Sequence, residues 1–152
     1  MPNANAQVNA GSFRDRDGRV YQYRGRIFRG LSEAALQSFR QLQEKPFYTK
    51  LLESGKVIGS RELTAQENPL PEHLRRQWTG FLEHDPVKVI SYPYEWTFSM
   101  LRAAASLQLH LVERAVSNGF TLKDATPYNI PVSYTHLRAH ETNNSISYAV
   151  FC

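Results

Sequence analysis

An acid and a carboxamide five positions apart, Asp124 and Asn129, stand in the run Leu122-Lys123-Asp124-Ala125-Thr126-Pro127-Tyr128-Asn129. On a short loop stiffened by proline, these are the residue types that a phosphoryl-transfer site uses for a base and a metal ligand. On the spacing alone, an Asx turn or cap at Asp124 and a turn residue after Pro127 at Asn129 account for the pair better. The choice between the two readings rests on what positions the loop. Lys123, directly before the acid, could balance its charge.

Other chemically suggestive residues lie further on. His136 and His140 are four apart with Glu141 beside them, a spacing that could ligate zinc from a helix. Asn143-Asn144-Ser145 has the form of a glycosylation acceptor, and Cys152 is the sole cysteine. A simpler source explains all three. Residues 132–142 and 146–152 back-translate, in order and in one frame, into DNA that resembles a transposon-type sequencing-library adapter and the flow-cell primer that follows it. Residues 131–152 are therefore expected to be an adapter-derived, non-native tail and are set aside as a fusion scar would be. The natural sequence is expected to be a truncated stretch ending near residue 130.

With 18 Lys and Arg against 14 Asp and Glu the net charge is +4. The tail's Arg138 and Glu141 cancel, so residues 1–130 carry the same charge. An excess this small suits a phosphate-bearing ligand without calling for nucleic acid. Absence of cysteine before the tail leaves no disulfide framework and no thiol chemistry, which is compatible with a reducing cytoplasm. No run is long and apolar enough to span a bilayer. Residues 1–10 are polar, rich in Asn and Ala, and are expected to be disordered.

The elements that would hold the loop can be read in order. Residues 12–29 suggest a small antiparallel meander, with hairpin turns at Asp17-Gly18 and Arg24-Gly25 and strand formers at Val20, Tyr21, Tyr23, Ile27 and Phe28. Arg14, Arg16, Arg19, Arg24, Arg26 and Arg29 crowd this segment. They fit either an anion-facing sheet or, better, a solvated edge guarded by charge. Ser32 should cap a helix that runs to about Lys45 with Leu36, Phe39 and Leu42 on its apolar stripe. Pro46 opens a second helix with Leu51 and Leu52 inward, and Gly55 stops it. A short strand is expected at Lys56-Val57-Ile58, a loop over 64–73, and a helix or strand over 74–84 that finishes as strand. Asp85-Pro86 turns the chain into a strand over 87–92, followed by a rigid aromatic connector at Tyr94-Glu95-Trp96.

The longest helix spans 97–118. Leu101, Ala104, Ala105, Leu111, Val112 and Ala115 form one face, and Leu107 and Leu109 add apolar surface elsewhere, so burial on more than one side is expected. His110 is expected to be a packed or boundary histidine rather than a ligand. Asn118-Gly119 caps the helix and leads straight to Lys123-Asp124.

Strand, connector, long helix, glycine cap, then Asp-x-x-x-x-Asn: this order resembles the protein-kinase-like fold from its hinge through its catalytic loop. The resemblance implies that Asp124 accepts the proton of an attacking hydroxyl and that Asn129 offers its carbonyl oxygen to magnesium. A narrower resemblance covers nearly all of residues 11–130. Gly-Ser-Phe-Arg-Asp at the start, Ser91-Tyr-Pro-Tyr-Glu-Trp-Thr-Phe-Ser-Met-Leu101, and the 122–129 run together look like a bacterial family of class I S-adenosylmethionine-dependent methyltransferases that includes nodulation-type proteins. Its members carry a kinase-like N-terminal region ahead of the methyltransferase domain.

The expected fold class is therefore α+β, an incomplete kinase-like fold in which a small antiparallel sheet with helices precedes the first helix of a helical lobe. The resemblance implies S-adenosylmethionine as the cofactor of the longer protein and a small-molecule or glycan acceptor. It assigns no residue of this chain to that cofactor. The chain departs from kinases in having no G-x-G-x-x-G loop and no V-A-I-K lysine, which bears on whether Mg-nucleotide binds. Three functions stay open: an inactive piece of a methyltransferase-family protein, a small-molecule-kinase-like phosphotransferase with Asp124 as base, and a catalytically dead binding module.

Overall fold

The computed structural model of the chain describes residues 6–8, 15–86 and 93–123. Five strands form one antiparallel sheet: β1 (Gln7–Val8), β2 (Gly18–Tyr23), β3 (Arg26–Leu31), β4 (Ser60–Leu63) and β5 (Gly80–His84), in spatial order β1-β2-β3-β5-β4. Two helices, α1 (Glu33–Gln43) and α2 (Pro46–Glu53), lie between β3 and β4 in the chain. A short α3 (Glu72–Arg75) precedes β5, and a 3-10 turn over Pro93–Glu95 leads into α4 (Phe98–Val116). The α+β class expected from the sequence is the class observed.

The β2–β3 hairpin follows directly from its turn residues. Arg24 and Gly25 both take positive φ, 50° and 74°, the mirror-image turn whose twist matches that of two paired strands. Tyr23 then pairs with Arg26 and Gly18 with Leu31 across the full hairpin. Asp17-Gly18 is not a hairpin turn. Gly18 opens β2, and it is glycine because a Cβ there would lie 2.6 Å from Arg29 Nε and 3.0 Å from the Gly30 carbonyl oxygen. The third strand on the β3 side comes from β5, about fifty residues on, so the sheet is not a local meander. Gln7 and Val8, in the stretch read as disordered, pair with Gln22 and Tyr21, because β2 offers a free edge to any extended segment beside it.

Alternation along the strands gives each sheet face its own cover. One face presents Tyr21, Tyr23, Phe28, Leu63 and Phe81, all buried under Leu70 and Leu74 with Trp78 packed alongside. Trp78 donates its indole N–H to the Tyr21 hydroxyl at 2.8 Å. The other face packs Leu31 and Leu82 against Leu36 of α1. The loop expected over 64–73 thus covers the sheet and carries α3 at its end, and the 74–84 segment finishes as strand, as its pattern suggested.

A separate helical cluster contains Leu42, Phe47, Tyr48, Leu51, Val57, Trp96 and the inner side of α4. Ser32 caps α1 by accepting from the Ala35 N–H at 3.3 Å, and Pro46 occupies the first turn of α2. Val57 is buried in this cluster rather than extended in the sheet. The strand expected at 56–58 therefore starts later, at Ser60. Residues 87–92 lie outside the described residues.

Helix α4 buries Ala104, Leu107, Leu111 and Ala115. That is a single stripe, narrower than the burial on more than one side that its composition suggested. Leu101, Leu109, Phe98 and Val116 are exposed, on the side of α4 away from the helical cluster. No described helix is long and apolar enough to cross a membrane.

Candidate functional site

Asp124 and Asn129, the expected base and metal ligand, lie outside the described residues, as do Arg14 and the tail with His136 and His140. The residue before the acid, Lys123, is described, and its surroundings show how the chain leaves α4. Helix α4 ends in two reinforcing bonds: Phe120 N–H to the Ala115 carbonyl at 3.0 Å and Gly119 N–H to the Val116 carbonyl at 3.1 Å. Gly119 takes φ 80° between them, a conformation that favours glycine. The turn sends Phe120 onto Phe47 of α2, with ring centroids 5.9 Å apart. Leu122 packs, partly buried, against the same helical cluster.

Lys123 then reaches back across the molecule. Its ammonium donates to Asp15 Oδ1 at 2.9 Å and to Asp17 Oδ2 at 2.5 Å. Asp15 is shared, because its other oxygen, Oδ2, accepts from the Arg29 guanidinium. Arg29 stands on β3 with only 1% of its surface exposed, and the missing Cβ of Gly18 leaves room for it. Two carboxylates and two cations thus balance in one knot. It joins the segment before β2, the middle of β3 and the residues that follow α4.

The electrostatics follow from that arrangement. Burial raises the Asp15 carboxyl, but the Lys123 hydrogen bond, the Arg29 charge and the Asp17 backbone N–H outweigh it, and its pKa ends below the ordinary value. Burial lowers Lys123, but its bonds to Asp17 and Asp15 more than compensate, and it ends raised. Both partners therefore favour their charged forms at neutral pH.

Magnesium does not fit these residues. A hard cation needs carboxylates free to turn toward it, and Asp15 and Asp17 are already held by Lys123 and Arg29. Among the described residues no group of three or more His, Cys, Asp or Glu could hold a metal. Among the described residues the glycines do not form the glycine-rich turn that seats a dinucleotide or S-adenosylmethionine. Gly25 serves the hairpin, Gly55 and Gly119 end helices, and Gly30, near the start of α1, is covered by the Trp78 ring.

The arginine-rich segment divides by partner. Arg26 pairs with Glu83 at 2.6 Å, and Arg61 joins the same carboxylate at 2.8 Å. Arg24 lies over the Tyr23 ring and Arg26 over Phe28, each 5.0 Å from the centroid. The ion pairs tie β3 and β4 to β5 through the shared Glu83 carboxylate, inside the sheet rather than along a free edge. Arg29 is the exception, and sequence reasoning missed it. Its signal was the run Asp15-Arg16-Asp17-Gly18, two acids and a glycine, which a turn explained equally well. His110 behaves as a boundary residue. Its Nε2 lies 3.1 Å from Lys56 Nζ, and burial together with Lys56 and Arg114 lowers its pKa. Ser60 and the buried His84 bond at 2.7 Å between β4 and β5, a link inside the sheet that sequence reasoning did not single out.

No family model matches the chain, and no solved structure matches it. It is 34% identical over 121 residues to Nodulation protein NoeA of Rhizobium meliloti (strain 1021). The match takes in 80% of this chain and 24% of that protein. The chain spans about a quarter of the length of this nodulation-type relative.

Proposed function

We propose that the chain is a kinase-like module of a nodulation-type, S-adenosylmethionine-dependent methyltransferase-family protein, and that its work is to hold the 122–129 loop at a fixed place on the sheet. The observation that carries this reading is the double ion pair from Lys123 to Asp15 and Asp17. It ties the mouth of the loop to a segment more than a hundred residues away. Strand order and chain order support the kinase-like assignment: a hairpin, two helices, two further strands in the same sheet, then a long helix that delivers the Asp-x-x-x-x-Asn run. Methyl transfer would need S-adenosylmethionine bound elsewhere in a longer protein, with a small-molecule or glycan acceptor and a cytoplasmic setting.

Phosphotransfer ranks behind this reading for a physical reason. Kinases present a lysine to the nucleotide phosphates from their third strand. Here β3 presents Arg29, whose guanidinium is already paired with Asp15. The chain as an accessory module is tested by calorimetric titration with S-adenosylmethionine and, separately, with Mg-ATP. Neither should bind the 152-residue chain. In a longer protein, Lys123→Ala should raise the KM for the acceptor and leave cofactor affinity unchanged. Tight Mg-ATP binding to the chain, with phosphoryl transfer lost in Asp124→Asn, would establish the phosphotransferase instead.

A further inference from the structure

Helix α4 carries two apolar stripes, and among the described residues only one is fully buried. Ala104, Leu107, Leu111 and Ala115 are buried against α2 and its surroundings. Roughly 120° around the helix, at 100° per residue, stand Phe98, Leu101, Ala105, Leu109, Val112 and Val116. Phe98 is 80%, Leu109 72% and Val116 62% exposed. This second stripe runs about 27 Å, the full length of the helix.

Its pattern is self-complementary. Turned end for end about the middle of the helix, Phe98 meets Val116, Leu101 meets Val112, and the small Ala105 meets the large Leu109. Arg102 and Glu113, both exposed, border the stripe on the same side. The same operation brings Arg102 of one helix beside Glu113 of the other, twice over. Two-fold symmetry requires this property of an isologous surface, in which each residue contacts its complement and the contact repeats in reverse. Shallow crossing, with ridges packed into grooves along the whole stripe, would keep all six apolar residues in contact.

We propose that this face of α4 is the site where a second copy of the chain docks, as an antiparallel helix pair with Arg102 and Glu113 bridging across it. One helix pair is a small interface by the standard of stable complexes, so the dimer is weak and its population depends on concentration. The charged flanks set the antiparallel direction and the register.

Sedimentation equilibrium of the full chain over a wide concentration range tests the proposal. Average mass should rise from monomer toward dimer. Leu109→Glu, at an exposed position, should hold the chain at monomer mass. Arg102→Glu places like charges at both ends of the pair and should weaken association roughly fivefold. Combining Arg102→Glu with Glu113→Arg should restore it, while circular dichroism confirms that each variant keeps its helix. Monomer mass throughout, or a dimer indifferent to both Leu109→Glu and the charge reversal, would overturn the proposal.

Discussion

Asp15 serves two cations at once. It neutralises Arg29, which is buried in the sheet, and it receives Lys123, which follows α4. The two partners differ in what they lose without it. Arg29 has 2% of its side chain exposed and cannot recruit water in place of the carboxylate, whereas Lys123, with 32% exposed, can. Losing the charge of a partner is costly for a buried ion and mild for a solvated one. Asp15→Asn should therefore destabilise the chain by about 2 kcal/mol, while Lys123→Ala should cost less than about 1 kcal/mol. Urea unfolding followed by circular dichroism checks both, and equal losses would mean that the Lys123 contact, not Arg29, is the main beneficiary. Gly18→Ala acts on the same knot from behind, since the added methyl would take the place of Arg29 Nε.

Glycines do opposite work in the two halves of the molecule, and this sets how much of each element could be read beforehand. Gly119 ends α4 by its positive φ, a signal visible as Asn118-Gly119, and the helix it closes was placed within a residue or two. Gly30 has an extended backbone and is needed for a contact that sequence cannot reveal: a Cβ would lie 2.3 Å from Trp78 Cδ1, forty-eight residues away. Gly30→Ala should push the indole off the sheet, break its bond to Tyr21 and cost about 2 kcal/mol as overpacking. A shift in tryptophan emission together with a lower urea midpoint would show it, and an unchanged spectrum would mean that the ring is not seated on Gly30. Local signals thus gave the hairpin at Arg24-Gly25, the Ser32 cap and the long helix. The pairing of β3 with β5 and the meeting of Asp15 with Lys123 depend on distant partners. Composition misled in one respect, because α4's apolar residues promised burial that half of them do not receive.

Across the whole molecule the ion pairs respond to pH in one direction on the acid side. Asp15, Glu62 and Glu83 all have pKa values below their ordinary ones. Burial opposes the shift of Asp15, which Lys123 and Arg29 bring about, while bonds from Arg40 lower Glu62 and bonds from Arg26 lower Glu83. A carboxylate with a depressed native pKa binds fewer protons folded than unfolded, so its contribution is complete above the unfolded value and disappears as pH falls through the native one. His110, also lowered, adds a change of the same sign just below its ordinary 6.5. Raised Lys123 works the other way: its contribution is complete below 10.5 and is lost only as pH climbs past its native value. Stability should therefore be flat from pH 7 to near 10, fall modestly below pH 6.5, and fall more steeply below pH 4.5. Melting temperatures from circular dichroism at half-unit steps between pH 3 and 9 would trace this curve. Asp15 is the least exposed of the three carboxylates and the only one that faces a buried guanidinium, so Asp15→Asn should flatten the steep acid limb more than Glu62→Gln does. Identical acid limbs in the two variants would place the linkage at the solvent-exposed edge of the sheet and remove the Asp15 knot as the main electrostatic support of the fold.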